Sequence, residues 1–235
     1  MAQYNFNSIG TIHSCFKEKF GIPRQPALVN SLATIEIDSA YSNKEAFREL
    51  ETFSHIWVVF VFHEIKNTKW KPTVRPPRLG GNKRIGVFAS RSMFRPNPLG
   101  LSVVQLKSVK QVNNRIILTI VGGDFLDLTP VLDIKPYISY ADSVDTSLSG
   151  YATEKPAIKF NVNFSDKARK VIQSAKNEYP QLNDIVVEVL QLDPRPAYQG
   201  KDSLKKAFSI KLYDFDVNWE IEGENILVTS LDFLA

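Results

Sequence analysis

The sequence reads as a mainly β protein: a single-sheet closed antiparallel β-barrel followed by a small α+β carboxy-terminal domain. Three observations predict this. Over roughly the first 140 residues there are many short apolar runs of strand composition and a single short helical pattern, as a closed or strongly curved antiparallel sheet requires. No strand–helix–strand rhythm occurs there, which argues against a doubly wound parallel sheet. Further on, the pattern changes to two amphipathic helices and then to alternating strands, the signature of a second, α+β unit. The boundaries predicted are a barrel over residues 1–141, a polar linker over 142–156 and the small domain over 157–235.

Taken in order, Tyr4 to His13 alternates loosely around Phe6, Ile9 and Ile12 and is the first strand candidate. Glu18 to Pro26 follows as a loop in which Pro23 and Pro26 restrict the backbone around Arg24. Ala33 to Asp38 alternates as a second strand, and Asn43 is placed to cap a short helix over Lys44 to Leu50. His55 to His63 is rich in β-branched and aromatic residues and apolar on both faces, so it belongs centrally in the sheet. Arg84 to Ala89, Ser102 to Val112 and Arg115 to Val121 are further strands, the last two joined through Asn113 and Asn114, which tolerate positive φ. Gly122 and Gly123 end that hairpin, and Thr129 to Ile134 is the next strand. In the tail, Ser165 caps a helix spaced on Ala168, Val171, Ile172 and Ala175, and Leu182 to Leu190 repeats the pattern until Asp193 and Pro194 stop it. Phe208 to Trp219 alternates with a phase slip near Tyr213, a bulge or tight bend, and Ile226 to Leu231 is the last strand.

The 43% hydrophobic fraction and 15 Phe supply an ample core, and the longest apolar run, Ile56 to Phe62, is too short to span a bilayer. The start of the chain lacks a basic region followed by an apolar stretch, so a cytoplasmic protein is expected. One cysteine, Cys15, excludes an intrachain disulfide and a multi-cysteine zinc site, and His13, His55 and His63 are not at metal-ligand spacing, so no metal is expected. Phosphate-loop, dinucleotide-fingerprint and nucleophile-elbow motifs do not occur.

The charge is distributed unevenly. The whole chain carries only +4, yet between Glu64 and Asp124 there are twelve Lys or Arg and no Asp or Glu. Within it, the segment from Trp70 to Leu101 packs Lys71, Arg75, Arg78, Lys83, Arg84, Arg91 and Arg95 among prolines and glycines. A shaped basic loop system of this kind attracts polyanions, nucleic acid foremost. Three further clusters carry chemistry. Arg24 and Arg91 are suited to gripping carboxylate or phosphate through two parallel hydrogen bonds. Asp124 and Asp127 either accept from hydroxyl or ammonium groups or simply cap the turn after Gly123. Asp193 to Tyr198, DPRPAY, either stops a helix or aims an oxygen at an exocyclic amine while the ring stacks on a base.

Five stretches together carry a resemblance: PRQP at Pro23 to Pro26, RPPRLGGN at Arg75 to Asn82, FRPNPLGLS at Phe94 to Ser102, DLTPVLDIKPY at Asp127 to Tyr137, and DPRPAY. In this order they resemble the bacterial tRNA (adenine-N(6))-methyltransferases with a TsaA-like domain. The resemblance implies S-adenosylmethionine bound by a β-barrel, a homodimer with the site near the subunit interface, and threonylcarbamoyladenosine beside the anticodon of threonine tRNA as substrate. Carried over, it places the cofactor at Arg24, Gln25, Pro26, His63, Glu64, Arg91, Asp124, Phe125, Leu126 and Asp127, with a main-chain contact from Leu101. Asp193 is then the expected proton acceptor with Asp133 in reserve, and Tyr198 the stacking ring. Arg75, Arg78, Lys83, Arg84, Arg95 and Arg195 are the expected RNA contacts, while Asn97 is either a structural turn or a base contact. Two other readings stand beside this one, a non-catalytic RNA-binding barrel and a small-molecule methyltransferase.

Overall fold

The computed structural model describes residues 2–65, 69–195 and 207–234. Six strands close a barrel: β1 (Gly10–His13), β2 (Leu32–Ile37), β3 (His55–Val61), β6 (Leu99–Val112), β7 (Arg115–Val121) and β8 (Thr129–Pro136). Their order around it is β1-β2-β7-β6-β3-β8, and every neighbouring pair is antiparallel, β8 returning to β1. A two-stranded ribbon, β4 (Thr73–Val74) with β5 (Ile85–Gly86), stands outside it in the basic segment. Alternation decides what fills the interior. Ile56, Val58 and Phe60 of β3 point in together with Ile116, Leu118 and Ile120 of β7, and all six are buried. Gly100 is the exception that makes room: a Cβ there would lie 2.1 Å from the Phe60 ring, which packs edge-on against Phe125 at 5.0 Å.

The second unit is a four-stranded sheet, ordered β10 (Ala207–Leu212), β11 (Phe215–Glu222), β12 (Asn225–Phe233), β9 (Asn161–Phe164), with β9 parallel to β12. Helices α2 (Asp166–Ala175) and α3 (Leu182–Gln191) cover it, the Ser165 hydroxyl capping α2 by accepting from the Ala168 amide. Its core is centred on Trp219, Val186, Leu190, Ile210 and Val217. Cys15, Phe16 and Val29, from the connection between β1 and β2, belong to this same core. That connection therefore fastens the two units together. The Tyr213 amide donates to the Cys15 carbonyl at 2.8 Å, and the Asn30 amide and side chain both donate to the Glu188 carboxylate.

Several boundaries differ from expectation. The first strand begins only at Gly10, because Tyr4 and Phe6 lie exposed and, among the described residues, pair with no strand that would extend it. The helix expected over Lys44 to Leu50 is two 3-10 turns, since Glu49 takes a left-handed conformation (φ 64°) that interrupts it. Asn43 does cap the first turn, accepting from the Glu45 amide. The phase slip near Tyr213 is the tight bend of the two forms expected, a hairpin with Tyr213 at φ 52° that splits the run into two strands, and a bulge lies further on, at Asn218 and Trp219. The short strand β9 and the single-turn helix α1 (Ser139–Asp142) carried no sequence signal. No helix among the described residues is long and apolar enough to cross a membrane.

Candidate active site at the barrel rim

The β1–β2 connection and the segment after β7 meet at the rim of the barrel and clasp each other at two points. At one, Ser14 binds with both its groups: its amide donates to Asp127 Oδ1 (2.9 Å) and its hydroxyl to the Phe125 carbonyl (2.8 Å). Lys17 adds an ion pair to Asp127 at 2.7 Å. At the other, the Ala27 amide donates to the Gly122 carbonyl at 2.8 Å. Gly122 needs φ 82° there, a conformation glycine adopts freely. Between these clasps lie Arg24, Gln25 and Pro26 on one side and Asp124, Phe125 and Leu126 on the other.

Gln25, Arg91 and Asp124 form one cluster. Arg91 Nη1 donates to Gln25 Oε1 at 2.7 Å, and its charge faces Asp124. The Ser102 hydroxyl donates to Asp124 Oδ1 at 2.6 Å from the inner face of β6. Burial pushes the Asp124 carboxyl above the ordinary carboxylate range, against the opposing pull of Ser102 and Arg91. An alternating strand that places a hydroxyl on the same side as Gly100, Val104 and Leu106 is a legible signal, and Ser102 is the residue sequence reasoning passed over. Leu101, its neighbour, turns its side chain outward (52% exposed) and pairs with Val59. Phe125 is buried in the barrel core, and the Leu126 carbonyl accepts from Thr129. His63 and Glu64 form the turn that follows β3, and Lys19 reaches the Glu64 carbonyl at 2.8 Å.

A second cluster centres on the carboxy-terminal motif. Asp193 is buried, and its two oxygens accept from Arg195 Nε (2.8 Å) and Nη2 (3.2 Å), with Lys159 at 3.4 Å. Burial alone would raise the Asp193 carboxyl, but the two cations outweigh it and hold it below the usual range. Arg24 Nη2 donates to the Arg195 carbonyl at 3.1 Å, which ties the first loop to the motif. Loss of water around the Arg24 guanidinium lowers its pKa, with Asp193 acting in the opposite direction. Asp133 is not drawn into either cluster: it lies on the outer face of β8, ion-paired to Lys135 at 2.7 Å. Tyr198 lies outside the described residues.

The basic segment divides by role. Arg75, Arg78, Lys83 and Arg84 are exposed and take part in no ion pair among the described residues. Arg95 instead donates to the Ser90 and Ser92 carbonyls and lies over the Phe88 ring, bracing the loop that carries Arg91.

A guanidinium, a side-chain amide, a buried carboxylate and the main chain of a rim loop suit a ligand bearing both a carboxylate and an ammonium group, as the amino-acid end of S-adenosylmethionine does. Comparison with known proteins bears on the cofactor and the family. Residues 11–143 match the tRNA-methyltransferase O N-terminal domain, and residues 157–234 match the TrmO C-terminal domain. The Escherichia coli (strain K12) tRNA (adenine(37)-N6)-methyltransferase is 44% identical over 233 residues, covering 99% of either chain. A Pseudomonas aeruginosa protein described as a putative S-adenosylmethionine-dependent methyltransferase is 41% identical over 95% of both. The crystal structure of TrmO from Pseudomonas aeruginosa superposes with a TM-score of 0.81 at 33% identity, over 98% of this chain and 99% of that one. With both of its units matched in order and its whole length covered, this chain belongs to the TrmO family of tRNA methyltransferases.

Proposed function

We propose that this chain transfers the methyl group of S-adenosylmethionine to the exocyclic nitrogen of threonylcarbamoyladenosine at position 37, 3′ of the anticodon, in threonine tRNA. As a member of its family it is an S-adenosylmethionine-dependent tRNA (adenine-N6)-methyltransferase. The observation that carries the finer reading is the meeting of Gln25, Arg91 and Asp124 at the barrel rim, Arg91 belonging to the loop system that also carries four exposed cations. When bound, the cofactor supplies an activated methyl group on a sulfonium. Arg91 and Asp124 hold its charged groups, and Arg24 fixes the loop on which Gln25 sits. A carbamoyl substituent acidifies the acceptor N–H, so the departing proton needs an oxygen acceptor of ordinary strength. Asp193, its oxygens held by Arg195 and Lys159, is a weak base in this arrangement; Asp133, half-exposed and ion-paired to Lys135 on the outer face of β8, stands in reserve.

A homodimer fits the same reading. On the outside of the barrel Val59 and Val61 of β3 pair with Leu101 and Leu99 of β6, and both leucines are exposed. Asp133 continues this row beyond Val59, so a second copy seated on the apolar strip brings that carboxylate to the interface. Such a protein acts where tRNA is matured, in the cytoplasm.

The direct test is mass spectrometry of nucleosides from threonine tRNA incubated with the protein and S-adenosylmethionine. Methylated threonylcarbamoyladenosine is the expected product, and unchanged nucleosides would reject the proposal. The four exposed cations give a second expected result. Replacing Arg75, Arg78, Lys83 or Arg84 by alanine should reduce the slope of log binding constant against log salt by about 0.7–0.9 for each phosphate left unneutralised. Arg95→Ala should instead weaken cofactor binding through the Arg91 loop and leave that slope as it was.

A further inference from the structure

We infer that Arg195 is a positioning residue that couples the carboxy-terminal motif to the cofactor loop, rather than an RNA contact. The inference rests on the methyltransferase reading. The Arg195 guanidinium lies between two rings, Phe160 at 5.4 Å and Phe208 at 5.5 Å. Its fork closes on both oxygens of Asp193, and its side chain is only 10% exposed. Among the described residues both faces of the guanidinium are covered by rings and two of its three nitrogens are held by a carboxylate, which leaves little of it to offer a phosphate. What it offers outward is its main-chain carbonyl, and Arg24 rests on that carbonyl.

The geometry explains why the motif holds an Arg two residues after an Asp. Asp193 adopts φ 56°, a left-handed conformation unfavourable for a residue with a side chain. The fork from Arg195 compensates by closing a tight ring across Pro194, and Lys159 adds a second cation at 3.4 Å. Phe160 follows Lys159 in sequence and forms one wall of the ring sandwich, so residues 159–160 close the arrangement from below. Phe208, near the start of β10, supplies the other wall. The carbonyl under Arg24 is thus fixed by contacts from three separate parts of the carboxy-terminal domain. Arg24 in turn precedes Gln25, the residue Arg91 grips. Cofactor pocket and carboxy-terminal motif are in this way joined by a chain of hydrogen bonds: Asp193 with Arg195, Arg195 with Arg24, and Gln25 with Arg91.

Lysine at this position keeps the charge but cannot form the planar fork or stack between two rings. Arg195→Lys is therefore expected to weaken S-adenosylmethionine binding, measured by calorimetry, by about tenfold, the weight of one charge-assisted hydrogen bond. The salt dependence of tRNA binding should match that of the unaltered chain. Wild-type cofactor affinity in the lysine variant would overturn the inference, and so would a flattened salt slope in Arg195→Ala. Should the lysine variant fail to fold, Asp193→Asn replaces it: that change keeps one acceptor oxygen, removes the charge, and is expected to weaken the cofactor in the same way. Normal cofactor affinity in Asp193→Asn would equally overturn the coupling. If the unaltered chain binds cofactor but does not methylate tRNA, the function falls and this inference is judged on affinity alone. If the unaltered chain does not bind cofactor, both fall.

Discussion

Trp219→Ala is expected to destabilise the protein by about 3–5 kcal/mol, the largest single loss among core positions. Trp219 is 1% exposed and stacks between Phe20 at 6.1 Å and Phe208 at 5.7 Å. Those two rings belong to different parts of the chain: Phe20 lies on the β1–β2 connection, shortly before Arg24, and Phe208 is a wall of the Arg195 sandwich. Truncation leaves a cavity beneath both. For a chain of this length each kcal/mol lowers the melting temperature by about 2–4 °C, so a drop on the order of 10 °C is the reading. Trp219→Phe separates stacking from simple volume. The indole N–H is buried without a partner among the described residues, and removing it relieves a penalty of about 1–3 kcal/mol that offsets part of the lost ring area. The phenylalanine variant should therefore melt close to the unaltered protein. A phenylalanine variant as damaged as the alanine one would show that the ring stack is not what Trp219 contributes.

That arrangement also shows what a linear reading can and cannot reach. Strands β3 and β7 are legible because β-branched, aromatic and other apolar residues run through them almost without a break, although only alternate residues fill the barrel, and the Asn113–Asn114 hairpin because two consecutive residues at φ 48° and 61° demand that chemistry. The cap at Ser165 is a local matter and reads locally. Strand β9 does not: four residues become a strand only because β12, far along the chain, supplies the pairing. Glu49 and Tyr213 take left-handed conformations without being glycine. The surrounding structure imposes both; local sequence hides the break in the first helix, while the turn between β10 and β11 shows only as a slip in the alternation near Tyr213. At the site, the residue types of Arg24, Gln25, Arg91 and Asp124 stand out in their motifs, but their contacts do not. Arg195 looks like any exposed cation in sequence. Its burial depends on Phe160 and Phe208, and the state of Asp193 on a lysine 34 residues earlier.

Asp124→Asn should stabilise the protein while impairing it, a pairing of opposite signs that few substitutions produce. The carboxyl is buried, and burial raises it above its ordinary value despite Ser102 and Arg91. A carboxyl raised in the folded state binds its proton more tightly there than in the unfolded chain. Its contribution to stability is thus full below the unfolded value of about 3.9 and is lost as pH climbs through the raised folded value. Asparagine has no such titration and still accepts from the Ser102 hydroxyl. Melting curves of the two proteins should accordingly lie together near about pH 4 and separate toward about pH 7, the asparagine variant melting higher by about 2–4 °C for each kcal/mol of buried charge relieved. Binding moves the other way. Without the carboxylate the rim loses its partner for an ammonium or hydroxyl group, and Arg91 loses the anion it faces, so cofactor affinity should fall about tenfold or more. Ser102→Ala provides the complementary shift: removing the hydroxyl that favours the ionised form drives the Asp124 titration higher still, and the pH range over which stability declines extends upward with it. Parallel melting curves for Asp124→Asn and the unaltered chain across that range would mean the carboxylate is fully compensated in the fold, and burial would then cost this site nothing.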